Sequence, residues 1–196
     1  SSQEHLMPNY VYTNLEVTGP EEVLKEFVAA HMCDEVHLEF NTIIPMPAAL
    51  DVTAHCGDNI SDEQKANQEK YGFTDWYGWR VDNWGTKWGA GSCELKERED
   101  GKLLMYFETA WSIPEKIFTE LNILYPELTF MLDVVEEGGF FAGTIQFSGD
   151  VVVDGLLSGS DLTEEVYDKL IRKMKPEWYE DEEEEVDDTP LLTHNE

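Results

Sequence analysis

Basic residues are scarce in this chain, with 13 Lys and Arg against 42 Asp and Glu in 196 residues, a formal net charge of −29. That balance excludes a binder of nucleic-acid phosphates, whose affinity comes from cationic side chains displacing counterions. Cysteine is scarce as well. Cys33, Cys56 and Cys93 are odd in number and widely spaced, with no Cys-x-x-Cys, which excludes a disulfide framework or a zinc ribbon and leaves reduced, mostly buried thiols as the expectation. Long apolar runs are missing. The stretch around residues 103–107 falls far short of the roughly 20 residues of a bilayer span, and no charged start leads into an apolar stretch as in a signal peptide. The chain therefore reads as cytosolic, with no membrane partner. Also missing are a nucleophile elbow, a Gly-rich phosphate cradle, a His-Glu metal motif and any readable acid/base pair of carboxylates. It is read as a non-enzyme without a cofactor.

What is present suffices for one packed domain, since 41% of the residues are apolar and 12% aromatic. Residues 1–6 read as vector-derived or as a short unstructured lead. Residues 10–17 alternate Val11, Thr13, Leu15 and Val17 with Tyr12, Asn14 and Glu16, the two-residue period of a half-buried strand. Thr18-Gly19-Pro20-Glu21 follows, readable as a capping box for a helix that buries Leu24, Phe27 and Val28. A second strand is expected over 35–40. The same grammar returns later: a strand over 102–109, a second capping box at Ser112-Ile113-Pro114-Glu115, a helix with Ile117, Phe118, Leu121 and Leu124 on one face, and a strand over 128–134.

Two such units imply an α+β fold with a ferredoxin-like split βαβ core, an antiparallel sheet with two helices on one face. Between them lies an insertion at about 41–101, rich in Trp. Residues 140–147 and 151–157 flank Ser148-Gly149-Asp150 as an added hairpin. A last helix is expected from Asp161, carrying Leu162, Val166, Leu170, Ile171 and Met174 and ended by Pro176. The domain is placed at 7–176 and the remainder, 177–196, is read as an acidic disordered tail.

Five segments together carry a resemblance: Met7-Pro-Asn-Tyr-Val-Tyr-Thr-Asn-Leu-Glu-Val-Thr-Gly, Phe40-Asn-Thr-Ile-Ile-Pro-Met-Pro, Trp79-Arg-Val-Asp-Asn-Trp-Gly-Thr-Lys-Trp, Thr109-Ala-Trp-Ser-Ile-Pro and Glu136-Glu-Gly-Gly-Phe-Phe-Ala-Gly. They resemble the YubB-type ferredoxin-like family of phage and plasmid proteins, in consistent order over roughly residues 7–147. The resemblance implies a ferredoxin-like core and a home on a mobile genetic element. It brings no catalytic residues. The acidic tail and the high negative charge are not features of that family at large.

Two groups of residues are candidates for binding a partner. The first is Trp76, Trp79, Trp84 and Trp88, which with Tyr77, Arg80 and Lys87 concentrate the residue types that anchor interfaces and stack on bases. The same residues read structurally as a stripe: Trp76, Arg80, Trp84 and Trp88 recur at a helical interval of four, Gly85 suits a helix end, and Arg80 or Lys87 can lie over a ring. The second group is the carboxylates Glu177, Glu180, Asp181, Glu182, Glu183, Glu184, Glu185, Asp187 and Asp188. Setting those nine aside still leaves 33 acids against all 13 bases, so the body is itself a polyanion. His31, Cys33, His37, His55 and Cys56 are ligand types that suit zinc, but their spacing fits no common site. Asp58, Asn59, Ser61, Asp62 and Glu63 read better as a helix start capped by Ser61 than as a calcium loop.

A net charge of a few units serves solubility, and more carries a cost in self-repulsion. The leading expectation is therefore a phage- or plasmid-encoded interaction protein. Its carboxylates would imitate nucleic-acid phosphates, occupy the basic surface of a host nucleic-acid-binding protein, and inhibit a defence or nucleic-acid-handling enzyme such as a CRISPR or restriction system. The alternatives are a nucleotide or small-ligand module that uses the Trp-rich insertion, and a non-enzymatic accessory protein of a mobile element.

Overall fold

The computed structural model describes residues 8–54 and 57–180; the expected lead at 1–6 and the tail beyond Glu180 lie outside the described residues. In chain order the elements are β1 (Tyr10–Thr18), α1 (Glu21–His31), β2 (Met32–Cys33), β3 (His37–Leu38), α2 (Phe40–Ile43), α3 (Asp62–Tyr71), α4 (Trp76–Trp84), β4 (Gly91–Glu99), β5 (Lys102–Ala110), α5 (Glu115–Leu124), β6 (Thr129–Glu136), β7 (Phe141–Ser148), β8 (Val151–Ser158) and α6 (Glu164–Met174). The main sheet has six antiparallel strands in the order β4-β5-β1-β6-β7-β8. Its first four strands with α1 and α5 make the split βαβ core.

Strand alternation divides the apolar residues between the two faces. On one face Val11, Leu15 and Val17 of β1 join Leu103, Met105 and Phe107 of β5 and Phe130, Leu132 and Val134 of β6. Against them pack Leu24 and Phe27 of α1 and Ile117, Phe118 and Leu121 of α5. Leu124, expected on that apolar face, is instead 48% exposed, because α5 ends there and turns away at Tyr125. On the other face Tyr12, Tyr106, Val135 and Ala142 are covered by Ile171 and Met174 of α6. The added hairpin forms as expected, β7 and β8 meeting across Gly149-Asp150 with Gly149 at φ 55°.

The second strand lies elsewhere than the sequence pattern suggested. Residues 35–40 hold only the two-residue β3, paired with β2, and then the first turn of α2. The strand that completes the first βαβ unit is β4, about fifty residues later, so 32–90 separates it from α1. β4 alternates exposed and half-buried charged and polar residues as an edge strand does, and its weak apolar signal hid it.

The expected capping boxes also differ. α1 begins after Pro20 with no side-chain cap, as α5 does after Pro114. Ser112 donates instead to the Gly85 carbonyl at 2.5 Å. α6 starts at Glu164, capped by Thr163 rather than from Asp161. The Ser61 cap of α3 forms in full, with Gln64 returning the bond to the Ser61 amide. Glu21 is used across the fold. Its carboxylate takes the Arg98 guanidinium and the Gly101 amide, each at 2.5 Å, and so ties the start of α1 to the β4–β5 turn.

The Arg98 bond, followed by that from Gly101, holds the Glu21 carboxyl at about 2, below its ordinary 4.5. A carboxyl depressed by folding adds stability that is present above pH 4.5 and is lost as pH falls toward 2. Glu21→Gln is expected to flatten the acid limb of the stability curve in that window, checked by urea unfolding at pH 2–7. The β2–β3 turn offers a second test. Asp34 and Glu35 stand at φ 53° and 60° with Val36 donating to the Cys33 carbonyl, positions that favour Asn-Gly. Glu35→Gly is expected to stabilise by about 0.5–1 kcal/mol and raise Tm by about 1–3 °C in calorimetry.

Candidate functional site

The Trp-rich segment splits into a buried part and an exposed part. Asp75 caps α4, accepting from the Tyr77 amide at 3.0 Å, and Gly85 ends it in the left-handed conformation at φ 85°. Trp79 and Trp84 are 8% and 3% exposed. Their rings meet edge to face at 5.8 Å, Trp84 meets Phe40 in the same way, and its indole N–H donates to the Ile44 carbonyl at 2.8 Å. Arg80 lies between Trp76 and Trp84, 5.1 and 5.0 Å from the ring centres. Burial lowers the affinity of its guanidinium for its proton, opposed by Asp51 and Glu39, and its Nε is buried without a hydrogen-bond partner among the described residues. The helical interval of four thus builds a structural stack of Trp76, Arg80 and Trp84.

Trp88, expected as the last member of that stripe, lies outside α4, because Gly85 ends the helix one turn earlier. Lys87 sits between Trp88 and Trp111, 4.0 Å from each ring centre. Trp88 is 38% exposed and Trp111 43%. Trp111 holds φ at 64°, a conformation that costs a bulky residue about 1–2 kcal/mol. Hydrogen bonds hold the segments on either side of it. Its amide donates to the Asn9 carbonyl, the Thr86 hydroxyl to the Ala110 carbonyl and the Thr109 hydroxyl to the Ser112 carbonyl. Sequence reasoning did not single out Trp111 as a site residue. Its neighbours in the pair come from a segment more than twenty residues away, and no local spacing marks it.

The acidic group begins near the same end of the sheet. Trp111 follows Ala110, which pairs with Tyr10; two residues further along β1, the Tyr12 ring meets Trp178 edge to face at 5.9 Å. The chain after α6 is held there by Lys175, whose ammonium is 4.4, 4.9 and 5.7 Å from the ring centres of Tyr106, Tyr12 and Trp178 and 3.4 Å from Glu108. Tyr106 donates to Glu108 at 2.7 Å and Tyr12 to Glu137 at 2.8 Å. Burial, then these carboxylates, push both phenols far above their ordinary value. Glu177 and Glu180 are exposed beside this anchor. Asp181, Glu182, Glu183, Glu184, Glu185, Asp187 and Asp188 lie outside the described residues.

The zinc-like set does not converge. Both ring nitrogens of His31 are taken, by the Thr42 hydroxyl at 2.9 Å and the Tyr125 hydroxyl at 2.8 Å, and burial keeps the ring toward its neutral form. Cys33 is exposed and Cys93 half-buried, which corrects the expectation of mostly buried thiols. The cause is position, Cys33 in the short β2–β3 hairpin and Cys93 on the edge strand β4. His55 and Cys56 lie outside the described residues, among which no three His, Cys, Asp or Glu side chains are grouped as a metal would require. No helix among them is long and apolar enough to cross a membrane. A cleft of about 510 Å³ opens between α1, β2 and β4, lined by Val28, Met32, Leu95 and Leu103 with Arg98 and the Asp34–Glu35 turn; none of the Trp residues lines it.

The division between buried and exposed Trp is measurable. Trp84→Ala is expected to cost about 3–5 kcal/mol, as truncating a buried aromatic does. Trp88→Ala is expected to stay within about 1 kcal/mol of the parent, both read by chemical denaturation.

Searches among curated proteins and among solved structures each returned no match. Residues 87–189, just over half the chain, match the sequence model described as the ferredoxin-like domain in Api92-like protein. The match covers β4 to α6, the part of the sheet that carries the aromatic end and the C-terminal anchor, and the chain belongs to this ferredoxin-like family.

Proposed function

We propose that this chain is a non-enzymatic binding protein that presents carboxylates and aromatic anchors to the basic surface of a nucleic-acid-handling protein and inhibits it. The observation that supports this reading is the disposition of charge. Twelve of the thirteen cations lie against a carboxylate, a carbonyl or a ring of the same chain. Arg80, Lys87, Lys102 and Lys175 are at least partly buried. Twenty-three of the described carboxylates are exposed. Nine of the thirteen cations are exposed as well, so the outer surface keeps the acidic excess of the sequence, and it offers a basic groove the same sign of charge as a phosphate backbone.

Trp88 and Trp111 supply what charge alone lacks. Large aromatics that are partly exposed and held by their neighbours serve as interface anchors at little entropic cost. Glu177 and Glu180, exposed on either side of the Trp178 contact with Tyr12, stand toward the same end of the sheet, so one partner surface reaches both. A YubB-type assignment and a phage or plasmid origin, with a defence or restriction enzyme as target in the host cytoplasm, belong to this proposal. A second reading rests on the cleft beside α1, whose apolar and charged lining suits a small amphipathic ligand.

The test is affinity capture from host lysate with the full chain as bait, washed at about 0.1 M and 1 M salt, where the Debye length falls from about 10 Å to about 3 Å. The expected result is a basic nucleic-acid-handling protein held at low salt, released at high salt and displaced by DNA. Replacing both Trp88 and Trp111 by Ala is expected to cut capture at least tenfold with the unfolding midpoint nearly unchanged. An empty low-salt lane would overturn the reading.

A further inference from the structure

The two edges of the six-stranded sheet are finished differently. β4 carries Glu94, Lys96, Glu97, Arg98 and Glu99, and its pairing with β5 slips twice, between Gly91 and Glu94 and between Leu95 and Glu97. Charge and bulges are the devices that keep a foreign strand from adding to an edge. β8 has no bulge and a single charge, Asp154. It pairs with β7 in unbroken register from Val151 opposite Ser148 to Ser158 opposite Phe141, and it contains no Lys, Arg or Pro. Val151, Val152 and Val153 are 59%, 50% and 56% exposed.

The backbone of this stretch is open to pairing. The Asp154 carboxylate accepts the Leu156 amide at 2.9 Å, so that amide points away from β7. The two-residue period of the strand puts the amides of Val152 and Asp154 on the same outer side. Asp154 thus closes the open stretch at one end, and the Gly149-Asp150 turn closes it at the other.

We propose that residues 151–154 are a docking edge for an extended strand of a basic partner protein, which adds to β8 as a seventh strand. The occupant is chosen by charge. A second copy paired antiparallel about Val152 would set Asp150 opposite Asp154 at both ends, and like charges directly opposite are destabilising, between chains that each carry −29. A strand with a β-branched apolar centre and Lys or Arg at its flanks sets Val against Val and meets Asp150 and Asp154 with cations. Main-chain bonds then supply affinity and the flanks supply selectivity. The inference rests on the proposed function in taking a basic protein as partner. It adds a surface at the opposite end of the sheet from Trp88 and Trp111.

The test uses the full chain with the capped peptide Thr-Lys-Thr-Val-Thr-Lys-Thr, whose Lys residues stand two positions to either side of its Val, and with its counterpart bearing Glu for every Lys, each up to millimolar concentration, read by amide hydrogen exchange. The expected result is at least tenfold slower exchange at Val152 and Asp154 with the Lys peptide alone. Val152→Pro removes an outward amide and no bond to β7, so it is expected to keep the circular dichroism spectrum and abolish the protection. Absence of protection with the Lys peptide, or equal protection by both peptides, would overturn the proposal. Concentration-dependent dimerisation with protection in the absence of peptide would overturn it in favour of a second copy. Lysate capture retained by Val152→Pro but lost on replacing Trp88 and Trp111 would overturn the docking edge and leave the proposed function standing.

Discussion

The central position of β1 governs the rest of the molecule. It is hydrogen-bonded to β5 on one side and β6 on the other, and it is buried on both faces. Because successive side chains point to opposite faces, a single strand sets the register of two cores: Val11, Leu15 and Val17 face α1 and α5, and Tyr12 faces α6. A one-residue slip would move every apolar side chain to the wrong side. The same register sets Ala110 opposite Tyr10 and so delivers Trp111 to the end of the sheet.

Cations in this protein serve mainly as internal fasteners. Arg98 joins the β4–β5 turn to the start of α1, Arg80 fills the space between two indoles, Lys87 joins two exposed ones, and Lys175 pins the chain after α6 against Tyr12 and Tyr106. Each of these gives a cation a partner within the chain. Folding pairs most of the few positive charges with groups of the same chain, while the excess of carboxylates on the surface is the one that composition already sets.

Elements whose signal is local were legible. The alternation in β1, β5, β6 and β7 and the Ser-Gly-Asp turn before β8 follow from two-residue periodicity and turn chemistry. The stack of Trp76, Arg80 and Trp84 follows from the helical interval. What was not legible depends on partners distant in sequence. β4 carries an edge-strand pattern in which charged and polar residues alternate with few apolar ones, and it is a strand because β5 pairs with it. Glu21 and Ser112 have the residue types of capping boxes, yet each finds a partner across the fold, because Pro20 and Pro114 are themselves the N-caps and leave Thr18 and Ser112 two residues outside the helices. Trp111 is one Trp among six until Lys87 comes beside it.

The amino-acid sequence by itself determined the fold class, the polyanionic character, the want of an apolar run as long as a bilayer span and the helical spacing of Trp76, Arg80 and Trp84, because all four depend on composition or on periods of a few residues. Only the tertiary structure decided which indoles are core and which are surface, since burial depends on what packs over a side chain and not on the side chain. It also decided that β4 is the charged edge and β8 the apolar one, and that Trp178 packs against Tyr12. Those outcomes follow from strand order, which arises from contacts between residues tens of positions apart.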